Sequence, residues 1–323
     1  MAHPPVFIGG FRSGSTLLAS YLGLHPRLSA IYETKFLADL LRAARILQDE
    51  AGRGERELGL AGEWAREGAL PREAAVDFLV GRAMADIPLT QQILDGLAPD
   101  GKAPHERYAA GSNHILWTAP EGLDAIAPFV RAIRAGSPPH TLIPTLACGI
   151  VPLFAEHARR EGKSRWANKT PELPRFQPEL RQLFGRIKVI HLIRDGRDVV
   201  NSSLKLNWWP VETGARSWKI FIEDVRAQAA PAPGDYLELR YEDLVADHTG
   251  TLRKVLEFLD LDGDPGQMVA AQERHAPGST SRLEAARRIG LWRSQMSAAD
   301  KAAIKTIAND LLVSLGYAGN ADW

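Results

Sequence analysis

The chain has one cysteine, Cys148, among 323 residues, which excludes an internal disulfide and any zinc site built on cysteines. It has no excess of either charge: 39 Lys and Arg stand against 39 Asp and Glu, for a formal net charge of zero. No global field draws it to nucleic acid or to an anionic membrane, so anion binding must come from local basic residues. The start, Met1-Ala2-His3-Pro4-Pro5, lacks the charged segment, apolar stretch and small-residue cleavage site of a secretion signal. The most apolar later stretch, residues 141–155, is interrupted by Pro144 and Pro152 and falls short of the roughly 20 residues that cross a bilayer. It reads as buried core. These absences predict a cytoplasmic protein in a reducing compartment, with no membrane span and no nucleic-acid partner.

What is present suits a folded α/β chain, read as a single domain over 1–323. Hydrophobic residues make up 45% and charged residues 24%, ordinary values for a globular protein. Three segments carry the strand–turn–helix pattern of a doubly wound parallel sheet. Val6-Phe7-Ile8 runs into Gly9-Gly10 and a helix with Leu17, Leu18, Tyr21 and Leu22 on one face. Residues 187–193 precede Arg194-Asp195-Gly196 and a helix over 198–206. Residues 236–241 lead to a helix with Leu252, Val255, Leu256 and Leu259. The intervening 38–160 reads as a mostly helical insertion, with helices over 36–48, 72–85, 120–135 and 145–160. Residues 49–70, rich in Gly, Glu and Arg, read as an exposed connection or a solvated helix. Ser297-Ala298-Ala299-Asp300 resembles a capping box opening the last helix.

Gly9-Gly10-Phe11-Arg12-Ser13-Gly14-Ser15-Thr16 has the spacing of a phosphate-binding Walker A loop, except that Ser15 stands where that loop has lysine. Glycines allow the tight turn, and the helix start offers N–H groups and a favourable dipole to an anion. Nucleoside triphosphate chemistry depends on the missing lysine and on magnesium, so a metal-dependent kinase is the disfavoured rival. The available cation is Arg12, and a sulfuryl group carries less charge than a terminal phosphoryl group. A second candidate clamp lies after the next core strand pattern. There Arg194 leaves the strand end and Ser202 follows on the helix, a guanidinium fork and a hydroxyl suited to one oxyanion. The plain alternative is a solvated turn in which Arg194, Asp195, Arg197 and Asp198 pair among themselves.

Both motifs resemble those of sulfotransferases that use 3′-phosphoadenosine 5′-phosphosulfate (PAPS), closest in wording to the tyrosylprotein sulfotransferases and related bacterial enzymes. The resemblance covers residues 4–37, 166–206, 236–261 and 275–317. It implies a P-loop-type fold and transfer of a sulfuryl group to an acceptor hydroxyl, with release of adenosine 3′,5′-bisphosphate (PAP) and no metal. It assigns Arg12, Ser13, Gly14, Ser15 and Thr16 to the 5′-phosphosulfate, and Arg194 and Ser202 to the 3′-phosphate. Tyr241, in Arg240-Tyr241-Glu242-Asp243-Leu244, would contact the adenine or, equally, be a buried tyrosine with a satisfied hydroxyl. Arg288, or else Arg287 or Arg293, would close over the 3′-phosphate. The same resemblance makes Glu33 the base that takes the acceptor proton, Lys169 and Arg12 the cations that stabilise the sulfuryl group, and Lys35 an acceptor-side residue. For Glu33 the rival is an ion pair with Lys35 or an arginine. The catalytic histidine of the cytosolic sulfotransferases has no match, because Pro171 occupies its place. His25 reads as the end of the first helix, and Ser279 or Ser281 as a hydroxyl near the sulfonate. Trp117, Trp208 and Trp209 line the acceptor or simply pack. The acceptor is expected to be a small-molecule, glycan or peptide hydroxyl. A non-catalytic nucleotide-binding protein of the same fold is the second rival.

Overall fold

The computed structural model describes residues 3–48, 52–65, 69–94, 115–275, 285–320 and 322–323. Five strands form one sheet in the order β2-β3-β1-β4-β5, every neighbouring pair parallel: β1 (Val6–Gly9), β2 (Leu28–Ile31), β3 (Arg165–Lys169), β4 (Lys188–Ile193) and β5 (Tyr236–Arg240). Helices cover both faces, as parallel strands require, because neither face can be left to water. The alternation along β1 shows the division. Phe7 joins the core beneath the insertion helices, while Val6 and Ile8 join a second core with Ile190, Leu192 and Leu239. A third core gathers Ile193, Val199, Trp218 and Leu312.

From β1 the chain passes through α1 (Ser15–Gly23) to β2. It then makes a long helical excursion through α2 (Lys35–Gln48), α3 (Arg53–Ala65), α4 (Arg72–Leu94), α5 (Ala119–Arg134) and α6 (Leu142–Arg160) before returning as β3. After β3 come α7 (Gln177–Phe184) and β4, then α8 (Gly196–Leu204), α9 (Val211–Ala229) and β5. The chain closes with α10 (Tyr241–Ala246), α11 (His248–Leu259), α12 (Pro265–His275), α13 (Trp292–Gln295) and α14 (Ala298–Ser314). Connections from β1 and β4, adjacent strands, run to opposite edges of the sheet. Their carboxyl ends therefore flank a crevice, the usual ligand position in open α/β sheets.

Five expectations need correction. β2 and β3 were not expected as strands; Arg165-Trp166-Ala167-Asn168-Lys169 shows no apolar run, yet all five residues are buried. Helix α3 is solvated on one face only, where Glu55 and Arg56 are exposed. Its Glu57 is buried and binds Arg42, Arg45 and Arg175, and Leu60 and Ala61 enter the core. Helix α4 extends to Leu94 through Pro88, well beyond residue 85. The apolar stretch at 141–155 is not too short to cross a membrane: with its leading turn, the helix covers 22 residues, Pro139–Arg160. One face, including Leu146, Ile150 and Phe154, is buried core. Tyr241 opens α10 rather than ending β5. The capping box at Ser297 and Asp300 is formed in both directions.

Candidate active site

The loop after β1 is shaped by backbone that leaves no room for side chains. Gly10 has φ +139, and a Cβ there would lie 2.1 Å from the Leu192 carbonyl oxygen. Gly14 has φ +82, and its Cβ would meet the Tyr241 ring at 2.7 Å. The Gly10 N–H donates to the Pro171 carbonyl at 3.1 Å, so the loop leans on both neighbouring strands. Arg12 also has positive φ, at 50. Ser13 Oγ donates to the Phe11 carbonyl at 2.7 Å, and Ser15 Oγ to the Gly10 carbonyl at 3.4 Å. The first helical bond of α1 runs from Leu18 N–H to Gly14 O. The preceding N–H groups, around Ser15 and the half-buried Thr16, are the ones that a helix start offers to an anion.

Arg12 turns toward α8. Its Nε donates to Ser202 Oγ at 2.9 Å, and its guanidinium lies 5.4 Å from the Trp208 ring. Arg194 joins the same cluster. It donates through Nη1 to the Arg12 carbonyl at 2.9 Å and through Nη2 to the Arg288 carbonyl, and its fork stacks 4.5 Å from the Tyr241 ring. Its Nε is buried with no hydrogen-bond partner among the described residues. The turn that carries it does pair internally, Arg197 with Asp195 at 2.7 Å and Arg194 with Asp198 at 3.7 Å, but it is not solvated: all four residues are buried. Arg197 forks onto Asp195 and caps the Tyr317 carbonyl, and Asp198 accepts from the Gly290 and Trp292 N–H groups at 2.6 and 3.1 Å. Those two bonds tie the Arg287–Arg293 segment to α8. Arg288 is half-buried beside Arg194, while Arg287 and Arg293 are exposed. Tyr241 OH donates to the Ala285 carbonyl at 2.8 Å, which is the buried-tyrosine arrangement.

The second part of the site lies at the ends of β2 and β3. Their parallel register pairs Ile31 with Asn168, which brings the residues beyond Ile31 alongside Lys169. Lys169 Nζ donates to Glu33 Oε1 at 2.5 Å, and Lys35 Nζ lies 3.4 Å from Glu33 Oε2. Burial pushes Glu33 upward, but Lys169 and Lys35 outweigh it and leave the carboxyl below its ordinary range. Glu33 is half-buried, and the expected ion pair with Lys35 is present together with the expected neighbour Lys169. Alternation along β3 turns Asn168 and Thr170 away from Lys169. Those two hold the Glu33 loop: Thr34 N–H donates to Thr170 Oγ1 at 2.8 Å, and Asn168 Nδ2 donates to Thr34 Oγ1 at 2.9 Å. The sequence reading missed this latch, and the period-two alternation of two polar residues around a lysine was the available signal.

His25 has no part in this chemistry. It follows α1, with Nε2 against the Asp262 carbonyl and Nδ1 accepting from Arg27 N–H. Ser279 and Ser281 lie outside the described residues. Trp117 lines a cavity beside Glu33, and Trp209 packs against Phe11.

Two phosphate-type motifs thus stand at adjacent strand ends, with a carboxylate–lysine pair beside them. The sulfotransferase family profile matches residues 4–265. The chain belongs to the sulfotransferase family. It is similar to two worm proteins named "Putative protein-tyrosine sulfotransferase". The one from Caenorhabditis briggsae is 27% identical over 119 residues, covering 35% of this chain and 42% of that protein. The one from Caenorhabditis elegans is 29% identical over 120 residues, covering 35% and 45%. The match thus spans less than half the length of these curated relatives. Among solved structures, the sulfotransferase domain of the Synechococcus PCC 7002 olefin synthase shares the fold, with a TM-score of 0.50 at 18% identity and coverage of 96% of this chain and 95% of that one. A sulfotransferase domain from the curacin biosynthetic pathway aligns over 96% and 97% of the two chains, with a TM-score of 0.47 and 15% identity.

Proposed function

We propose that the protein transfers a sulfuryl group from PAPS to an acceptor hydroxyl by direct in-line displacement, releasing PAP. The observation that carries this reading is the placement of the Arg12–Ser202–Arg194 cluster and the Glu33–Lys169 pair at the carboxyl ends of adjacent strands. The donor fits the residues present. The buried Arg194 Nε has a donor to spare, and Ser202 and the start of α1 offer others. Arg194 and Ser202 would hold the 3′-phosphate, with Arg288 beside them, and the Arg12–Thr16 loop the 5′-phosphosulfate. The donor supplies the sulfuryl group and a stable leaving phosphate.

Glu33 is ionised, the form that accepts a proton. Because Lys169 and Lys35 hold it below its ordinary range, it is a weak base, suited to taking the proton as the acceptor oxygen bonds to sulfur. Lys169 and Arg12 would stabilise the sulfonate oxygens while the bond from sulfur to the 5′-phosphate oxygen breaks. Lys35, largely exposed beside Glu33, would meet the acceptor.

Two measurements test this. Calorimetry should show PAP binding, and incubation with PAPS carrying labelled sulfate should label a product in a host extract. Absence of PAP binding by folded protein would refute the donor assignment; binding without any labelled product would support the non-catalytic rival.

A further inference from the structure

Where α8, α13 and α14 meet residues 317–320 and 322–323, a hollow of about 530 Å³ opens to the surface. That is the size of a small-molecule site, roughly 300–1,000 Å³, and far more than a bare ion fills. Three cations line it, Arg197 of α8, Arg293 of α13 and Lys301 of α14, against one acidic side chain, Asp322. Trp292, Tyr317 and Trp323 supply flat apolar wall.

Arg197 is a fixed donor rather than a loose surface charge. Its side chain is 2% exposed and lies 4.0 Å from the Trp292 ring and 4.6 Å from the Trp323 ring. Nε and Nη2 donate to the Asp195 carboxylate, and Nη2 also to the Tyr317 carbonyl at 2.5 Å. Because a guanidinium is planar, these bonds also fix Nη1, which has no partner among the described residues. At the rim, neither Arg293 nor Lys301 forms an ion pair with a described carboxylate. Lys301 Nζ donates to the Arg293 carbonyl at 2.7 Å, which uses one of its three donors. Asp322 is held by Asn320, whose Nδ2 donates to it at 3.2 Å. Lys305, outside the lining, stands 5.2 Å from the Trp323 ring and adds to the positive field.

We propose that this hollow is a second binding site, for a small organic anion whose oxyanion group meets Arg197 Nη1 and Lys301 and whose flat apolar body lies along Trp323. Charge selects the head: a carboxylate, sulfonate or phosphate supplies the acceptor these donors lack, whereas a cation would meet three like charges. The aromatic wall selects the body. The site is separate from the donor clamp. Arg197 and Ser202 lie five residues apart on α8, about 140° around a helix of 3.6 residues per turn, so the two sites use different faces of it. They share one support. Asp198 accepts the N–H of Trp292, a wall residue of the hollow, at 3.1 Å and lies 3.7 Å from Arg194 in the clamp.

The test is calorimetric titration of the full chain with 2-naphthalenesulfonate and with neutral naphthalene-2-carboxamide, PAP being present to fill the donor clamp. The sulfonate is expected to bind at least tenfold more tightly than the amide. Lys301→Glu should weaken the sulfonate at least tenfold, with the Kd for PAP within twofold of the parent. Asp322→Asn, at an exposed position, should tighten it at least twofold, which keeps the test decisive if Lys301→Glu fails to fold. Absence of sulfonate binding, equal affinity for the amide, or an affinity indifferent to both substitutions overturns the inference. None of these results bears on sulfotransfer, which PAP binding and labelled transfer decide separately.

Discussion

Lys169 has no exposed side-chain surface and makes its direct ion pair to Glu33, 2.5 Å away, from the neighbouring strand. Replacing Glu33 with Gln should lower turnover by about 10²–10⁴-fold, with PAP affinity retained. It should also lower Tm, because a buried lysine loses its closest counter-charge. Adding Lys169→Met should restore much of the Tm without restoring turnover. Unchanged turnover in the Glu33→Gln protein would remove Glu33 from its assigned role.

Arg194 spends its fork on two backbone carbonyls, those of Arg12 and Arg288, and its face on Tyr241. Arg194→Ala should weaken PAP binding at least tenfold by calorimetry. Arg194→Lys should not rescue it, since a lysine cannot reach both carbonyls as a planar fork does. An undisturbed affinity would dissolve the proposed clamp.

Gly10 is confined by the Leu192 carbonyl as well as by its own φ. Gly10→Ala should therefore distort the loop and abolish PAP binding. Gly81, inside α4 with nothing near its missing Cβ, is the control. Gly81→Ala should gain about 0.5–1 kcal/mol of stability in chemical denaturation. Equal behaviour of the two variants would contradict the packing described here.

Arg42 is fully buried in α2 and bonds Asp39, Glu57 and Glu172 at 3.1, 2.7 and 2.6 Å. The network continues through Arg45 to Glu179 and through Arg175 to Asp224. It fastens the insertion helices to the segment that follows Lys169. Removing one member strands the others, so Arg42→Met should cost about 3–5 kcal/mol in urea unfolding. A cost below 1 kcal/mol would mean that the network is replaceable.

Asp86 of α4 accepts the Phe36 N–H at the start of α2, next to Lys35 and Glu33. Burial, with Asp39 and Glu33 nearby, outweighs Lys35 and the N–H and pushes its carboxyl up to about 6, from an ordinary 3.8. Since the folded form binds the proton more tightly than the unfolded form, protonation of Asp86 stabilises the fold. That contribution is complete below about 3.8 and is lost as pH rises through about 6. The Tm difference between Asp86→Asn and the parent should therefore grow in favour of the variant between pH 4 and pH 7. A difference independent of pH would refute the assignment.

The sequence made three of the five strands legible because Val6–Ile8, residues 187–193 and residues 236–240 combine β-favouring residues with turn signals. β2 and β3 were hidden for a physical reason. Arg165, Asn168 and Lys169 are buried by tertiary partners, the Leu259 carbonyl, Thr34 and Glu33, that no local window contains. The motif residues were legible one by one, but their neighbours were not. Arg194 finds main-chain carbonyls, which carry no residue signature. Nothing in Arg12 announces Ser202. The buried face of α3 was hidden similarly: Glu57 looked like surface charge until three arginines from elsewhere surrounded it.

The helical excursion leaves the sheet from its edge strand β2 and returns at that strand's immediate neighbour, so it is one uninterrupted length of gene. The loop at Gly9–Gly14, Arg194 and Tyr241 are all encoded outside it. Yet Arg42 and Arg45 within it bind Glu172 and Glu179 beyond it, so a graft of residues 35–160 between relatives should carry those carboxylates along.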